Sequence, residues 1–207
     1  MVKFSCVKCG SCCRNISDKN SSSKGLPLFE WEIENLKKLN SKLKIEPLDV
    51  FYDKKSKLCF CLGYSLIGEP CIFLKNNKCS IHKDRPLICK AFPIAKHPLF
   101  LDEVPNLSCF SKCCNFNFNE FLESIGLKKG KPYNISKKKM LEEYGKTFDK
   151  KTMNASYEKD KTLIVFSDIL KELTEKNLIN IKRINNIKNK KVISFFEFLK
   201  NTLPQNL

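Results

Sequence analysis

Cys6-Val7-Lys8-Cys9-Gly10-Ser11-Cys12-Cys13 places four thiols in eight consecutive residues, spaced so that neighbouring sulfurs can converge on one ion or cluster. A second group follows downstream. Cys71, Cys79 and Cys89 are embedded in Pro70-Cys71-Ile72-Phe73-Leu74 and Arg85-Pro86-Leu87-Ile88-Cys89-Lys90-Ala91-Phe92-Pro93. Isolated thiols have no reason to be spaced this way, so the two groups read together as one metal-binding framework. Sulfur ligation is therefore legible before any substrate is.

The chain has 207 residues and twelve cysteines, all of them before residue 115. This asymmetry predicts a cysteine-cluster metal-binding domain over residues 1–115 and a helical C-terminal region over residues 116–207 packed on it. The expected class is α+β but mainly α: a small irregular cysteine-rich domain with a short hairpin, then helices. An even cysteine count raises the possibility of a disulfide scaffold. Against it, no apolar run precedes Cys6, and the vicinal pairs Cys12-Cys13 and Cys113-Cys114 are poor disulfide partners for each other. Metal-bound thiols in a reducing cytoplasm are the expectation. No stretch approaches the roughly 18 apolar residues of a membrane-spanning helix, so no membrane partner is expected.

The formal net charge is +16, and it divides equally between the two halves of the chain. Such an excess favours solubility and weak affinity for polyanions over a dedicated nucleic-acid surface. Arginines stand only at positions 14, 85 and 183, which leaves few candidates for bidentate phosphate or base recognition. A protein partner is expected instead.

Working outward from the cysteines, Phe29, Ile33, Leu36 and Leu43 recur near helical period and predict a short helix over Pro27–Leu43. Leu58–Leu66 and Cys71–Leu74 read as short strands. Asn76-Asn77-Lys78 supplies a turn, and the resulting hairpin presents Cys71 and Cys79. Pro86, Pro93 and Pro98 keep the next stretch irregular. Beyond Cys114 the pattern is helical. Ser136 is placed to cap a helix carrying Met140, Leu141, Tyr144 and Phe148, and Asp160 to cap one carrying Leu163, Phe166, Leu170 and Leu173. Ser194 and Glu197 have capping-box spacing, with Phe195, Leu199 and Leu203 facing inward.

Two metals compete for the thiols. Cys6-x2-Cys9-Gly10 has the form of a zinc knuckle. Cys6-x2-Cys9-x2-Cys12 is also most of a ferredoxin-type run, which takes its last thiolate from far away. The second group has no knuckle, so three clustered ligands plus a distant one favour an iron–sulfur cluster, with zinc as the alternative. Filling two four-coordinate sites takes an eighth donor beside the seven grouped cysteines. Cys109 and Cys113 are preferred, with Cys114, Cys59 and Cys61 as further candidates. Cys59 and Cys61 lie on one face of a strand and are as easily small apolar core residues as ligands. Arg85 is placed to offset thiolate charge. His82 reads as a group that supports the ligands from behind, and His97 as exposed. No catalytic constellation is legible, so enzyme activity stays an open question.

Cys6-x2-Cys9-Gly10-x-Cys12-Cys13-Arg14, Pro70-Cys71-x-Phe73-Leu74 and Cys79-x-Ile81-His82-x2-Arg85-Pro86-x2-Cys89-Lys90-x-Phe92-Pro93 together resemble the YkgJ-type cysteine-cluster family, described as a zinc- or iron-chelating domain. The resemblance runs from residue 4 to about residue 114. It implies metal binding through the matching cysteines and no settled activity. Larger relatives include flagellin lysine methylases, which suggests a redox or accessory role beside a modifying enzyme; the alternative is a zinc-stapled interaction module without catalysis. The chain departs from the family in placing His82 where an aromatic residue is common, and in its extra cysteines.

Overall fold

The structure, a computed structural model, describes residues 4, 6, 8–14, 25–92, 94, 118–126 and 137–203. The chain forms two compact units, and each is assembled from two separate stretches. Met1–Lys19 and Glu69–Thr162 make the first, and Asn20–Gly68 and Leu163–Leu207 the second. The expected boundary at residues 115–116 lies outside the described residues.

The second unit is built on a sheet. Its strands are β1 (Gly25–Leu28), β2 (Lys44–Asp53) and β3 (Cys59–Ile67), joined by two strands from near the other end of the chain. β3 is central and pairs antiparallel with β2 along its length and with β1 over Tyr64–Ile67. The short strand Ile181–Arg183 extends the sheet beyond β2, and Val192–Ser194 pairs parallel with the start of β3 at Cys59–Cys61. This five-stranded sheet corrects the expectation of a mainly α fold. The reason lies in the strands themselves. β2 carries Pro47 and alternates without a clean apolar face, and the two late strands are three residues each, too short for periodicity to register.

Aromatic packing closes this unit. Ser194 caps the helix Phe195–Thr202 by accepting from the Glu197 amide at 3.1 Å, as its spacing predicts. That helix lays Phe198 on Phe60 with ring centroids 4.0 Å apart, and both side chains are fully buried. Burial of each such ring contributes about 2–3 kcal/mol. The helix expected over Pro27–Leu43 is shorter, Glu30–Leu39, with the Glu32 carboxylate accepting from the Phe29 amide at 2.9 Å. Asp53 ends β2 with its side chain buried. Its carboxylate accepts from the Ser56 amide (2.8 Å) and hydroxyl (2.7 Å) and from the Asn180 amide (2.7 Å), tying the β2–β3 turn to the late strands. Burial pushes this carboxyl upward, but these bonds outweigh it and hold Asp53 below the usual carboxylate range.

Short elements dominate the cysteine-bearing part of the first unit: one helical turn at Ser11–Arg14, two-residue strands at Leu74–Lys75 and Lys78–Cys79, and another turn at Leu87–Lys90. Longer helices, Phe118–Ser124, Lys137–Thr147 and the opening half of Lys150–Glu175, carry an apolar cluster. Phe121, Tyr144 and Phe148 meet edge to face or tilted, and Phe4 joins them at 5.8 Å from Phe148. The Phe4 amide donates to Thr147 O at 2.9 Å, which anchors the start of the cysteine run. The long helix begins earlier than expected. Asp149, not Asp160, caps it by accepting from the Thr152 amide at 2.9 Å, and Asp160 is buried mid-helix beside Lys159 at 2.8 Å. Ser136 lies outside the described residues. Among the described residues no helix is long and apolar enough to cross a membrane.

Candidate metal centre

The two cysteine groups meet within the first unit. Gly10 makes this possible. Its φ of +71° is left-handed, and a Cβ built there would sit 2.6 Å from Asn77 O and from Leu74 Cδ1. Only glycine lets the Cys9-Gly10 bend lie this close to the hairpin. The chain then turns into a single helical turn, in which the Cys13 and Arg14 amides donate to Gly10 O at 2.9 and 3.2 Å. On the other side, Asn76 and Asn77 adopt positive φ (47° and 60°), the conformation a two-residue hairpin turn requires. This is the turn expected from Asn76-Asn77-Lys78.

Several contacts join the groups. The Cys71 amide donates to Cys13 O at 2.7 Å, and the Arg14 guanidinium donates to Asn77 Oδ1 at 2.6 Å. Cys89 is delivered by the turn after Pro86, its amide donating to Pro86 O at 2.9 Å. Cys6, Cys9, Cys12, Cys13, Cys79 and Cys89 line one cavity of about 30 Å³, with His82 and Arg85 on the same wall. Cys71 reaches the cluster through Cys13. The Cys6 Sγ stands 3.6 Å from His82 Nε2.

Electrostatics mark this as a place built for thiolates. The single Cys13 S–H proton lies within reach of Cys12, Cys71 and Cys79, and sharing it with these sulfurs pushes the Cys13 thiol far above the ordinary range. The acceptors move the other way. The Cys13 bond pulls Cys12 down, lowers Cys71 to about 7 and lowers Cys79 to about 6, where Arg85 also helps. Burial drives Cys89 well upward, reinforced by the negative charge of Cys12, Cys71 and Cys79 and opposed by Arg85. Pairwise sulfur contact is present, but among the described residues no three His, Cys, Asp or Glu are arranged so that they could hold an ion without moving. A metal held here would displace the S–H protons and draw these sulfurs toward it. The donor chemistry fits a thiophilic metal such as zinc or iron.

All nine described cysteines are free thiols. Of the expected ligands, Cys6, Cys9, Cys12, Cys13, Cys71, Cys79 and Cys89 are brought together. Cys109 and Cys113, with Cys114, lie outside the described residues, as does His97. Cys59 and Cys61 are elsewhere, buried at 6% and 1% exposure in the sheet of the second unit with Val50. They behave as small apolar residues, and burial pushes the Cys61 thiol up to about 11. The role of Asn77 as the anchor for Arg14 escaped sequence reasoning, although the Asn-Asn turn signal lay directly on it.

Residues 5–106 match a family profile described as "CxxCxxCC: Putative zinc- or iron-chelating domain". An uncharacterized protein of Methanocaldococcus jannaschii is 36% identical over 98 residues, which cover 44% of this chain and 45% of that protein. The chain thus spans less than half the length of that relative. No solved structure matches it. The matched segment contains every cysteine of the gathered cluster, and through residues 5–106 the chain belongs to the CxxCxxCC family of zinc- or iron-chelating domains.

Proposed function

We propose that the first unit is a metal-stapled module whose seven gathered thiols hold two neighbouring four-coordinate zinc centres. In this reading the metal organises the chain and performs no redox chemistry. The observation that carries it is the gathering of Cys6, Cys9, Cys12, Cys13, Cys79 and Cys89 around one cavity of about 30 Å³, with Cys13 within hydrogen-bonding reach of Cys12, Cys71 and Cys79. In a tetrahedral thiolate centre with bonds of about 2.3 Å, neighbouring sulfurs lie about 3.8 Å apart, close to S–H···S contact. In a four-iron cubane each protein thiolate takes its own iron, so the ligand sulfurs stand well apart. Crowding supports the mononuclear arrangement.

The local fold supports a structural role. Single helical turns and two-residue strands cannot hold themselves together in water. Structural zinc supplies about 10–16 kcal/mol of apparent binding energy in small thiolate modules, enough to order such a segment. Reduced, metal-bound thiols imply a reducing compartment, so a cytoplasmic location belongs to the proposal. A module that is organised but not catalytic implies a protein partner.

A second reading, an iron–sulfur cluster with a redox or accessory role beside a modifying enzyme, is favoured by the Cys6-x2-Cys9-x2-Cys12 run. Anaerobic purification separates the two. Colourless protein containing zinc and no acid-labile sulfide supports the staple. Brown protein with iron and acid-labile sulfide in equal amounts supports the cluster.

A further inference from the structure

His82 is one of two histidines in the chain. Its ring lies on the wall of the thiol cavity with Nε2 3.6 Å from Cys6 Sγ. We infer that His82 is a metal ligand, the eighth donor of the site, sharing one ion with Cys6. This rests on the reading of two four-coordinate centres.

Distance is the first support. A metal bonded to sulfur at about 2.3 Å and to imidazole nitrogen at about 2.05 Å, with a tetrahedral angle between them, sets the two donors about 3.6 Å apart. The separation found is 3.6 Å. It is the nitrogen distal to the backbone, Nε2, that faces the sulfur, and this is a common ligating atom of histidine.

Ligand arithmetic is the second. Seven gathered thiols leave one position open in two four-coordinate centres, and His82 is the nitrogen donor on the cavity wall. Charge is the third. Eight thiolates on two divalent ions carry a net charge of about −4, whereas seven thiolates and a neutral imidazole carry about −3. In a small cavity with Arg85 as the arginine on its wall, the less charged set costs less to desolvate.

The backbone holds the ring in place. Ile81, next in the chain, is buried, and its carbonyl accepts from the Asp84 amide at 2.9 Å, closing the turn that carries His82. Cys6 comes from the other stretch of the unit, so a shared ion would cross-link the two stretches near the bond between Cys71 and Cys13.

The test is zinc-edge X-ray absorption on the full chain loaded with zinc. The unsubstituted protein is expected to show about 3.5 sulfurs and about 0.5 nitrogen per zinc, with the outer-shell scattering of an imidazole ring. His82→Ala should lose that scattering and His97→Ala should keep it. His82→Cys guards against a folding defect, because a thiolate there restores four-coordination: it should bind as much zinc as the unsubstituted chain, with sulfur alone around the metal. Imidazole scattering that survives in His82→Ala or His82→Cys, or that disappears in His97→Ala, overturns the inference. All-sulfur coordination in the unsubstituted chain also overturns it, and leaves the two-centre reading intact with a cysteine as eighth donor. Failure to bind zinc at all, or recovery of an iron–sulfur cluster, overturns that reading and this inference with it.

Discussion

Gly10→Ala is expected to weaken metal binding severely without removing a single ligand. The added methyl group would meet Asn77 O and Leu74 Cδ1 at 2.6 Å, and Asn77 O belongs to backbone that is held in a tight turn. The left-handed conformation of residue 10 costs an alanine about 1–2 kcal/mol, and overpacking against the hairpin adds about 1–3 kcal/mol. Together these come to about 2–5 kcal/mol, and if the segment orders only as metal binds, the whole of it is subtracted from metal affinity. At about 1.4 kcal/mol per tenfold, zinc affinity should fall roughly 30- to 4,000-fold. Competition against a chelator of known zinc affinity measures this directly. Gly145→Ala is the control, since a methyl group there meets nothing within 4 Å and the position is an exposed helix interior. It should leave zinc affinity unchanged and gain up to about 1 kcal/mol of helix stability. A Gly10→Ala protein that holds zinc within threefold of the parent would refute the idea that this close approach assembles the site.

Cys61→Ser should leave zinc content unchanged and lower the stability of the second unit by about 1–3 kcal/mol, because it puts a hydroxyl where the buried thiol packs against Val50; urea denaturation with metal analysis checks both halves, and loss of zinc would return Cys61 to the ligand set. Asp53→Ala should destabilise that unit by about 2–4 kcal/mol, since the amides of Ser56 and Asn180 lose their acceptor. The folded Asp53 carboxyl titrates below its unfolded value, so its contribution is complete above the unfolded value near pH 4 and fades as pH falls through the lower folded value; urea midpoints followed from pH 7 to pH 2 should therefore fall more steeply in the parent than in Asp53→Asn, and parallel slopes would contradict this. Chelation should abolish amide-exchange protection at Cys71, Cys89 and Ala91 and spare the β2–β3 ladder, and protection that persists at those three amides would show that metal is not the staple.

The gathering of Cys6, Cys9, Cys12, Cys13, Cys71, Cys79 and Cys89 was legible because ligand spacing is a local chemical constraint. The Asn76-Asn77 turn and the Ser194 cap were legible for the same reason, as a few residues decide each. The sheet was not. Its order depends on pairing Lys44–Asp53 with Ile181–Arg183 across more than a hundred residues, and neither segment has the alternation that marks a half-buried strand. Asp160 misled because Phe166, Leu170 and Leu173 do form a buried stripe after it, although Leu163 is exposed, and because the helix had already begun at Lys150; an aspartate within a helix looks like a cap when the preceding turns are polar. Sequence placed His82 behind the ligands, because nothing local says that a turn after Cys79 brings its ring within 3.6 Å of the Cys6 sulfur.

The most direct measurement is native mass spectrometry of the full chain purified without air, compared with the same protein after acid release of its metal. The account predicts a mass difference equal to two zinc ions less the protons they displace, with every thiol reduced in the released form. A difference equal to a cubane of iron and sulfide, no difference at all, or a released chain carrying S–S bridges among the seven gathered cysteines would contradict it.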